Sequence, residues 1–331
     1  MHMKDLSKAV PTDPEAGLAP AVSWEDIDEG SAGQRIDNYL LRTLKGVPKS
    51  HVYRILRSGE VRVNSRRIDA TYRLVTGDRV RIPPVRIAQG PSVSAPASTG
   101  LERRIVFEDD HLIALDKPAG VAVHGGSGVS SGVIERLRAE RPQAKFLELV
   151  HRLDRETSGL LLVAKKRTAL IHLHEQLRSG TTDKRYLALA AGRVRDLKRR
   201  VRLSLHKYTT ADGERRVVAD PDGQEAETIF HRRNMYRDAT LLEAQLLTGR
   251  THQIRVHLQQ LGHPIAGDDK YGDFQWNREL MRQGLRRMFL HAAQLNIEHP
   301  GTGARLHLAC PLPPELQRFL ETCAPWNDAS T

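Results

Sequence analysis

Cysteine is nearly missing from this sequence: Cys310 and Cys323 are the two among 331 residues. Two thiols are too few for a disulfide scaffold or a thiolate metal site, and they imply a reduced, cytoplasmic setting. Long apolar runs are missing too. No segment approaches the roughly 18 residues of a membrane span, and the opening MHMKDLSKAVPTDPEAG lacks the apolar middle of a secretory leader. There is no GxxxxGK[ST] phosphate loop and no HExxH. HGGSGVSSG (124–132) only half matches a dinucleotide fingerprint, because Ser131 stands at the third glycine position; it reads better as a loop whose N–H groups could meet an RNA phosphate. Fifteen histidines invite a metal reading, but His172/His174 and His252/His257 miss the i, i+4 spacing that puts two ligands on one helical face. Caps, surface and core positions account for them better. The expectation is a chain with no metal and no small-molecule cofactor.

What is present is positive charge, +11 in all, and it is concentrated. Residues 33–86 hold 13 Lys/Arg against 4 Asp/Glu, whereas residues 1–32 hold 2 against 7. A solvated face explains most charge runs, but this density in about fifty residues points to a polyanion, RNA or DNA. Residues 1–32, acidic and aperiodic, are expected to be a flexible tail. GQRIDNYLLRTL places Ile36, Tyr39, Leu40 and Leu44 on one helical face. KGVPKSHVYRILRSGEVRVN opens a second helix after Pro48, with Ser50 as its expected cap, and ends it near Gly59. VRVN and TYRLVTGDRVRIPP add strands. Lys45, Lys49, Arg54, Arg57, Arg62, Arg66 and Arg67 are strung across this module as RNA-binding candidates. Residues 33–87 resemble the S4 RNA-binding domain, a small α/β module, with its characteristic stretches in the right order.

AQGPSVSAPASTG lies in the expected linker, 88–100, small and rich in Pro and Gly. The second domain, expected over 101–325, alternates strands (IVFED, HLIALD, GVAVH, KFLELV, GLLLVA, RYLALA, TLLEAQLL) with helices (VSSGVIERLRAE, TALIHLHEQLRS, and HQIRVHLQQLG capped at Thr251). Strands joined by turns as often as by helices predict an α+β fold with a mixed, mainly antiparallel sheet.

Three positions in that domain carry chemistry. Asp154, in HRLDRETSGLLLV, lies just before a turn that feeds a buried strand, where a scaffold displays a reactive group; a plain turn cap is the rival explanation. Arg250 stands at a helix entrance where the dipole disfavours a cation, which calls for a carboxylate partner, and Asp154 is the natural one. Such a pair would keep the aspartate ionised and aimed, as a nucleophile requires. In KRYLALAAG, strand alternation puts Tyr186 beside Ala188 and Ala190, leaving room for a flat base against the ring.

HRLDRETSGLLLV, LDKPAG, KRYLALAAG and TGRTHQIRVHL together resemble the RluA-type pseudouridine synthases across the second domain, most closely the branch that acts on several uridines of large-subunit ribosomal RNA. The resemblance implies a cofactor-independent isomerase with Asp154 as the catalytic aspartate, Arg250 as its ion-pair partner, and Tyr186 stacked on the target base and able to serve in proton transfer. Arg152 would enter the RNA stack. Lys117 and Pro118 would form the site floor, with His151, Thr157 and Leu247 in support. The implied partner is large-subunit ribosomal RNA, with no membrane, and the enzyme is expected to be a monomer. A non-catalytic RNA-binding assembly factor and a nuclease are the competing readings.

Overall fold

The computed structural model describes residues 22–28, 31–44, 46–85, 100–125, 131–211 and 213–326. Most of the expected acidic tail (1–21, 29 and 30), Lys45, the expected linker over 88–99 and the centre of the glycine-rich stretch (126–130) lie outside the described residues. The chain divides into two compact units, Met1–Ser94 and Ala95–Thr331.

The first unit contains strand β1 (Ser23–Asp26), helices α1 (Ile36–Thr43) and α2 (Lys49–Arg57), and strands β2 (Arg62–Val63) and β3 (Arg79–Ile82), in a sheet of order β1-β3-β2. The apolar stripe foreseen on α1 is buried: Ile36, Tyr39, Leu40 and Leu44 pack with Val52, Ile55 and Leu56 of α2. Helix α2 starts one residue after Pro48, which takes the cap position in place of Ser50, since its fixed φ suits a helix entrance. Asp78 is buried and accepts hydrogen bonds from Asn64 Nδ2 (2.7 Å), the Val75 N–H (2.8 Å) and Tyr72 Oη (3.1 Å). Asn64 and Ser65 both adopt positive φ, and Val63 and Arg66 exchange backbone hydrogen bonds across them. This is the two-residue hairpin geometry that matches strand twist. It carries Arg66 and Arg67 out to solvent.

The second unit is built on an 11-stranded sheet. In chain order come β4 (Ile105–Glu108), β5 (Leu112–Lys117), α3 (Val133–Glu140), β6 (Glu148–Leu149), β7 (Ser158–Ala164), α4 (Arg167–Ser179), β8 (Asp183–Ala191), β9 (Lys198–Thr209), β10 (Arg215–Ala219), β11 (Gln224–Met235), β12 (Ala239–Leu246), α5 (Gln253–Gln260), α6 (Phe274–Arg282), β13 (Leu290–Glu298), β14 (Arg305–Ala309) and α7 (Pro314–Thr322). The spatial order is β10-β9-β11-β12-β8-β13-β7-β5-β4, with β14 on β13 and β6 on β7. Among the described pairings β13 and β7 run parallel and the rest antiparallel, so the fold is the α+β, mainly antiparallel one expected.

Strand β7 explains the placement of the site. All seven residues are buried. Leu160, Leu162 and Ala164 pack into one cluster with α4, while Leu161 and Val163 pack into another with α3. A strand covered on both faces reads as a continuous apolar run, and its entrance is thereby fixed in the middle of the sheet. The expected strand GVAVH is instead an extended loop laid onto α3, whose Val133 and Ile134 N–H groups bond the carbonyls of Ala122 and Val123. Of KFLELV, only Glu148 and Leu149 form a strand. The long ribbon of β9, β10 and β11 was not foreseen.

Gly159, the second residue of β7, has φ +105°, and a Cβ there would lie 2.3 Å from the carbonyl oxygen of Ala292 on β13. The parallel pairing of β7 with β13 therefore requires glycine at this point. Gly159→Ala is expected to lower stability by about 3 kcal/mol or more, measured as a lower urea midpoint at unchanged slope.

Candidate active site

Asp154 sits in the loop between β6 and β7. Its carbonyl accepts from the Thr157 N–H at 3.2 Å, which closes the turn into β7. The LDKPAG stretch grips the same loop from beneath. Lys117 is wholly buried and points three N–H donors at the carbonyls of Pro118 (2.9 Å), Val121 (2.8 Å) and Arg155 (3.0 Å), and the Gly120 N–H also reaches Arg155 O at 2.9 Å. Burial pushes the Lys117 ammonium down to about 7, with Arg287 acting in the same direction and Glu156 opposing it. Lys117 and Pro118 thus fasten the aspartate loop to the end of β5.

The cation that faces Asp154 is Arg255. Its Nη1 lies 3.5 Å from Asp154 Oδ2. The other edge of the guanidinium makes a two-pronged pair with Asp268, Nε to Oδ2 and Nη2 to Oδ1, both 2.7 Å. Arg255 also lies 5.0 Å above the ring of Tyr271. Arg255 is 3% exposed, Asp268 0% and Asp154 18%. Burial alone would raise the Asp268 pKa. The two bonds from Arg255 and the N–H groups of Lys270 and Tyr271 outweigh it and hold the group below its ordinary value. The arginine is therefore held charged and immobile by one carboxylate while it faces a second.

Arg250, expected as the partner, is not the residue that pairs with Asp154. It is exposed; its Nε donates to Glu225 O at 3.1 Å, and its backbone N–H donates to Gln253 Oε1 at 2.9 Å. A cation near this helix entrance does face the carboxylate, but it comes from the next turn of chain. Helix α5 begins at Gln253 with His252 as its cap, not Thr251, so Arg250 stays in the preceding turn. Arg255, inside the first helical turn, lies on the buried face of α5. Gln253 completes the turn: its Oε1 accepts from Thr248 Oγ1 at 2.8 Å, and its Nε2 donates to Glu227 O and Thr228 Oγ1, both at 2.9 Å.

Tyr186 on β8 faces the same space. Asp154, Thr157, Tyr186, Arg250, Leu246 and Leu290 are among the walls of a pocket of about 80 Å³. Burial and the Asp154 charge hold the Tyr186 hydroxyl well above the usual phenol range, which suits a ring that stacks or donates and not one that removes a proton. Leu246 lines this pocket, whereas the expected Leu247 turns outward and is 36% exposed, because neighbours along an extended chain point to opposite faces. His151 is held by its Nε2 accepting the Leu162 N–H at 3.1 Å, and burial, with Lys184, holds its ring down to about 4. It is a neutral prop for β7.

A wider depression of about 750 Å³ opens on the other side of Asp154, lined among others by Arg152, His252, Arg255 and Lys270. Arg152 is exposed and borders both spaces. In the first unit Lys49, Arg54, Arg57, Arg62, Arg66 and Arg67 are all exposed. Arg67 donates to the carbonyl of Arg57, Arg62 to Gly59 O at 3.3 Å, and Arg54 approaches Glu60 at 4.0 Å. Asp268 and Tyr271 went unremarked in the sequence, His252 was weighed there only as half of a metal pair, and Arg255, five residues after Arg250 in TGRTHQIR, was not singled out.

Residues 111–260 match the family model for RNA pseudouridylate synthase, and residues 34–80 match the S4 domain. The chain is 54% identical over 312 residues to ribosomal large subunit pseudouridine synthase C of Pasteurella multocida (strain Pm70), covering 92% of this chain and 95% of that protein. It is 53% identical over 310 residues to the protein of that name from Escherichia coli (strain K12), covering 91% and 97%. Human RNA pseudouridylate synthase domain containing 4 superposes with a TM-score of 0.56 at 28% identity, over 68% of this chain and 94% of that one. Relatives of such identity span nearly the whole sequence, and most of the site described above falls inside the matched region. The chain belongs to the RNA pseudouridylate synthase family and is an isomerase that converts uridine in RNA to pseudouridine.

Proposed function

We propose that the protein isomerises specific uridines of large-subunit ribosomal RNA by flipping each one into the site around Asp154. The observation that carries this reading is the position of the Asp154 carboxylate on a wall common to two spaces: the small pocket with Tyr186, Leu246 and Leu290, and the wider depression with Lys270 and Arg152. A nucleotide placed across that wall would lay its base on Tyr186, bring its ribose to Asp154 and leave its phosphates among the cations.

The reaction breaks the bond from the ribose to N1, turns the base, and rejoins it through C5 with loss of the C5 proton. A stacked base is unreachable, so extrusion at a cost of a few kcal/mol comes first. Phosphate contacts from the basic S4 module supply binding energy for that step, and Arg152 fills the space the uridine leaves. Asp154, faced by the Arg255 guanidinium at 3.5 Å, then either attacks the ribose or assists glycosidic cleavage by deprotonation. Uracil stays against Tyr186 while it turns. Arg250, exposed on the same wall, is available to a phosphate. Conversion of U to Ψ with full-length RNA after incubation is the outcome that separates this reading from a nuclease, and turnover separates it from an assembly factor.

Asp154→Asn is expected to abolish tritium release from RNA labelled at uridine C5 while RNA affinity stays within about twofold of wild type; normal release would refute the role of Asp154. Replacing Lys49, Arg62 and Arg66 together by Gln is expected to weaken RNA binding. The same variant should flatten the dependence on log salt by roughly 0.7 for each phosphate no longer neutralised, about 2 in all. A slope equal to wild type would place the electrostatic grip elsewhere.

A further inference from the structure

His252 has a backbone and a set of contacts that the proposed roles of Asp154, Arg255 and Tyr186 leave unused. It is one of three non-glycine residues among those described with positive φ, at 54°. That conformation is uncommon for a residue of this size and is tolerated where the surroundings fix it. It caps α5 without using its side chain as a cap, so the ring is directed elsewhere. Its Nδ1 lies 2.8 Å from Tyr271 Oη, and the two rings meet edge to face at 5.4 Å. Its Nε2 lies 3.8 Å from Asp154 Oδ2.

One tautomer of His252 satisfies every hydrogen bond around Tyr271. Tyr271 Oη already accepts the Val217 N–H at 2.8 Å, and its one proton is satisfied by donation to His252 Nδ1. The imidazole hydrogen then resides on Nε2, on the side of Asp154. Burial holds the ring below the usual histidine range, with Arg255 and Lys270 lowering it further and Asp154 and Asp268 opposing them. The ring is thus neutral, and it offers a donor without adding a second full cation. Both donors, the Arg255 guanidinium at 3.5 Å and the His252 ring, approach the same carboxylate oxygen. A gap of 3.8 Å is longer than a hydrogen bond and is of the kind that closes when substrate fills an open site.

We propose that His252 is a positioning residue for Asp154: locked by Tyr271, it presents Nε2–H to Oδ2 beside Arg255, and so leaves Oδ1 as the oxygen that meets the ribose. This rests on the reading of Asp154 as the essential aspartate.

The test uses the full-length protein and single-turnover pseudouridine formation in a ribosomal RNA fragment. His252→Gly is the informative variant, because glycine adopts the left-handed conformation freely. Its thermal midpoint is expected to equal or exceed that of wild type and its RNA affinity to be unchanged. The rate is expected to fall on the order of 10²-fold, the scale of a misplaced reacting group, and to recover in part with added imidazole. Tyr271→Phe is expected to slow the reaction with no imidazole response, since the histidine ring is still in place. A wild-type rate in His252→Gly while Asp154→Asn is inactive would overturn the positioning role and leave the aspartate reading intact. A loss that imidazole does not restore would overturn it as well, by assigning the histidine a structural role. Activity in Asp154→Asn would instead remove the reading on which it rests.

Discussion

Arg255 is held by Asp268 on one edge and faces Asp154 with the other, and the rest of the catalytic unit is arranged around that bridge. A guanidinium 3% exposed would be costly in isolation, since taking a charge out of water costs several kcal/mol. Asp268 offsets that cost with two 2.7 Å bonds in the parallel geometry that guanidinium and carboxylate share. The arginine can then stabilise Asp154 from a position fixed before any RNA arrives. Division of labour between the two carboxylates follows from exposure: Asp268 is sealed and structural, whereas Asp154, at 18%, is left in contact with the cavities.

The sheet makes the bridge possible. Asp154 precedes β7, Tyr186 lies on β8, and Arg255 follows β12, yet the spatial order β12-β8-β13-β7 brings these strand ends to one region. The glycine at 159 permits β7 to approach β13 closely enough for that order to hold. Lys117 then fastens the Asp154 loop from β5, the neighbour of β7 on the other side. Asp154 and Tyr186 are thus set by backbone hydrogen bonds and strand positions, and Arg255 by its pair with Asp268. This is the rigidity that a reaction relying on orientation demands.

Much of this was legible from local pattern. LLLVA announced a buried strand by composition, and the stripe through Ile36, Leu40 and Leu44 announced α1 by period. The alternation in KRYLALAA put Tyr186 on the face it occupies. The misreadings have identifiable physical causes. Strand β9 mixes Val201, Leu203 and Leu205 with Arg199, Arg200 and Arg202, and most of it is exposed, so the pattern resembles a solvated segment. GVAVH has the composition of a strand, but its carbonyls are taken by the first N–H groups of α3. The expectation fell on Arg250 because it stands at the apparent helix entrance; a helix start cannot be placed to within a residue or two from sequence, and the buried guanidinium here is that of Arg255. Asp268 and Tyr271 carry no local signal at all: it is the fold that brings them to Arg255 and His252.

The two units divide the energetic work along the same lines. In the first, the cations are exposed and spread over helices and a hairpin; as the proposed grip on RNA they would act at long range, screen readily and confer affinity with little geometric demand. In the second, Arg255 and Asp268 are buried and paired, where each is strongly directional. An isomerase that must pull a base out of a stack needs both kinds. Diffuse phosphate binding provides free energy that does not depend on the identity of the base, and in the proposed mechanism the buried Asp268–Arg255 pair presents Asp154 with a cation already in place when the nucleotide arrives. Had the site been built from exposed, mobile charges like those of the first unit, part of the binding energy would be consumed in ordering the carboxylate. In the proposed mechanism, burial of Arg255 and Asp268 is therefore what lets RNA contacts made elsewhere act on the chemistry at Asp154.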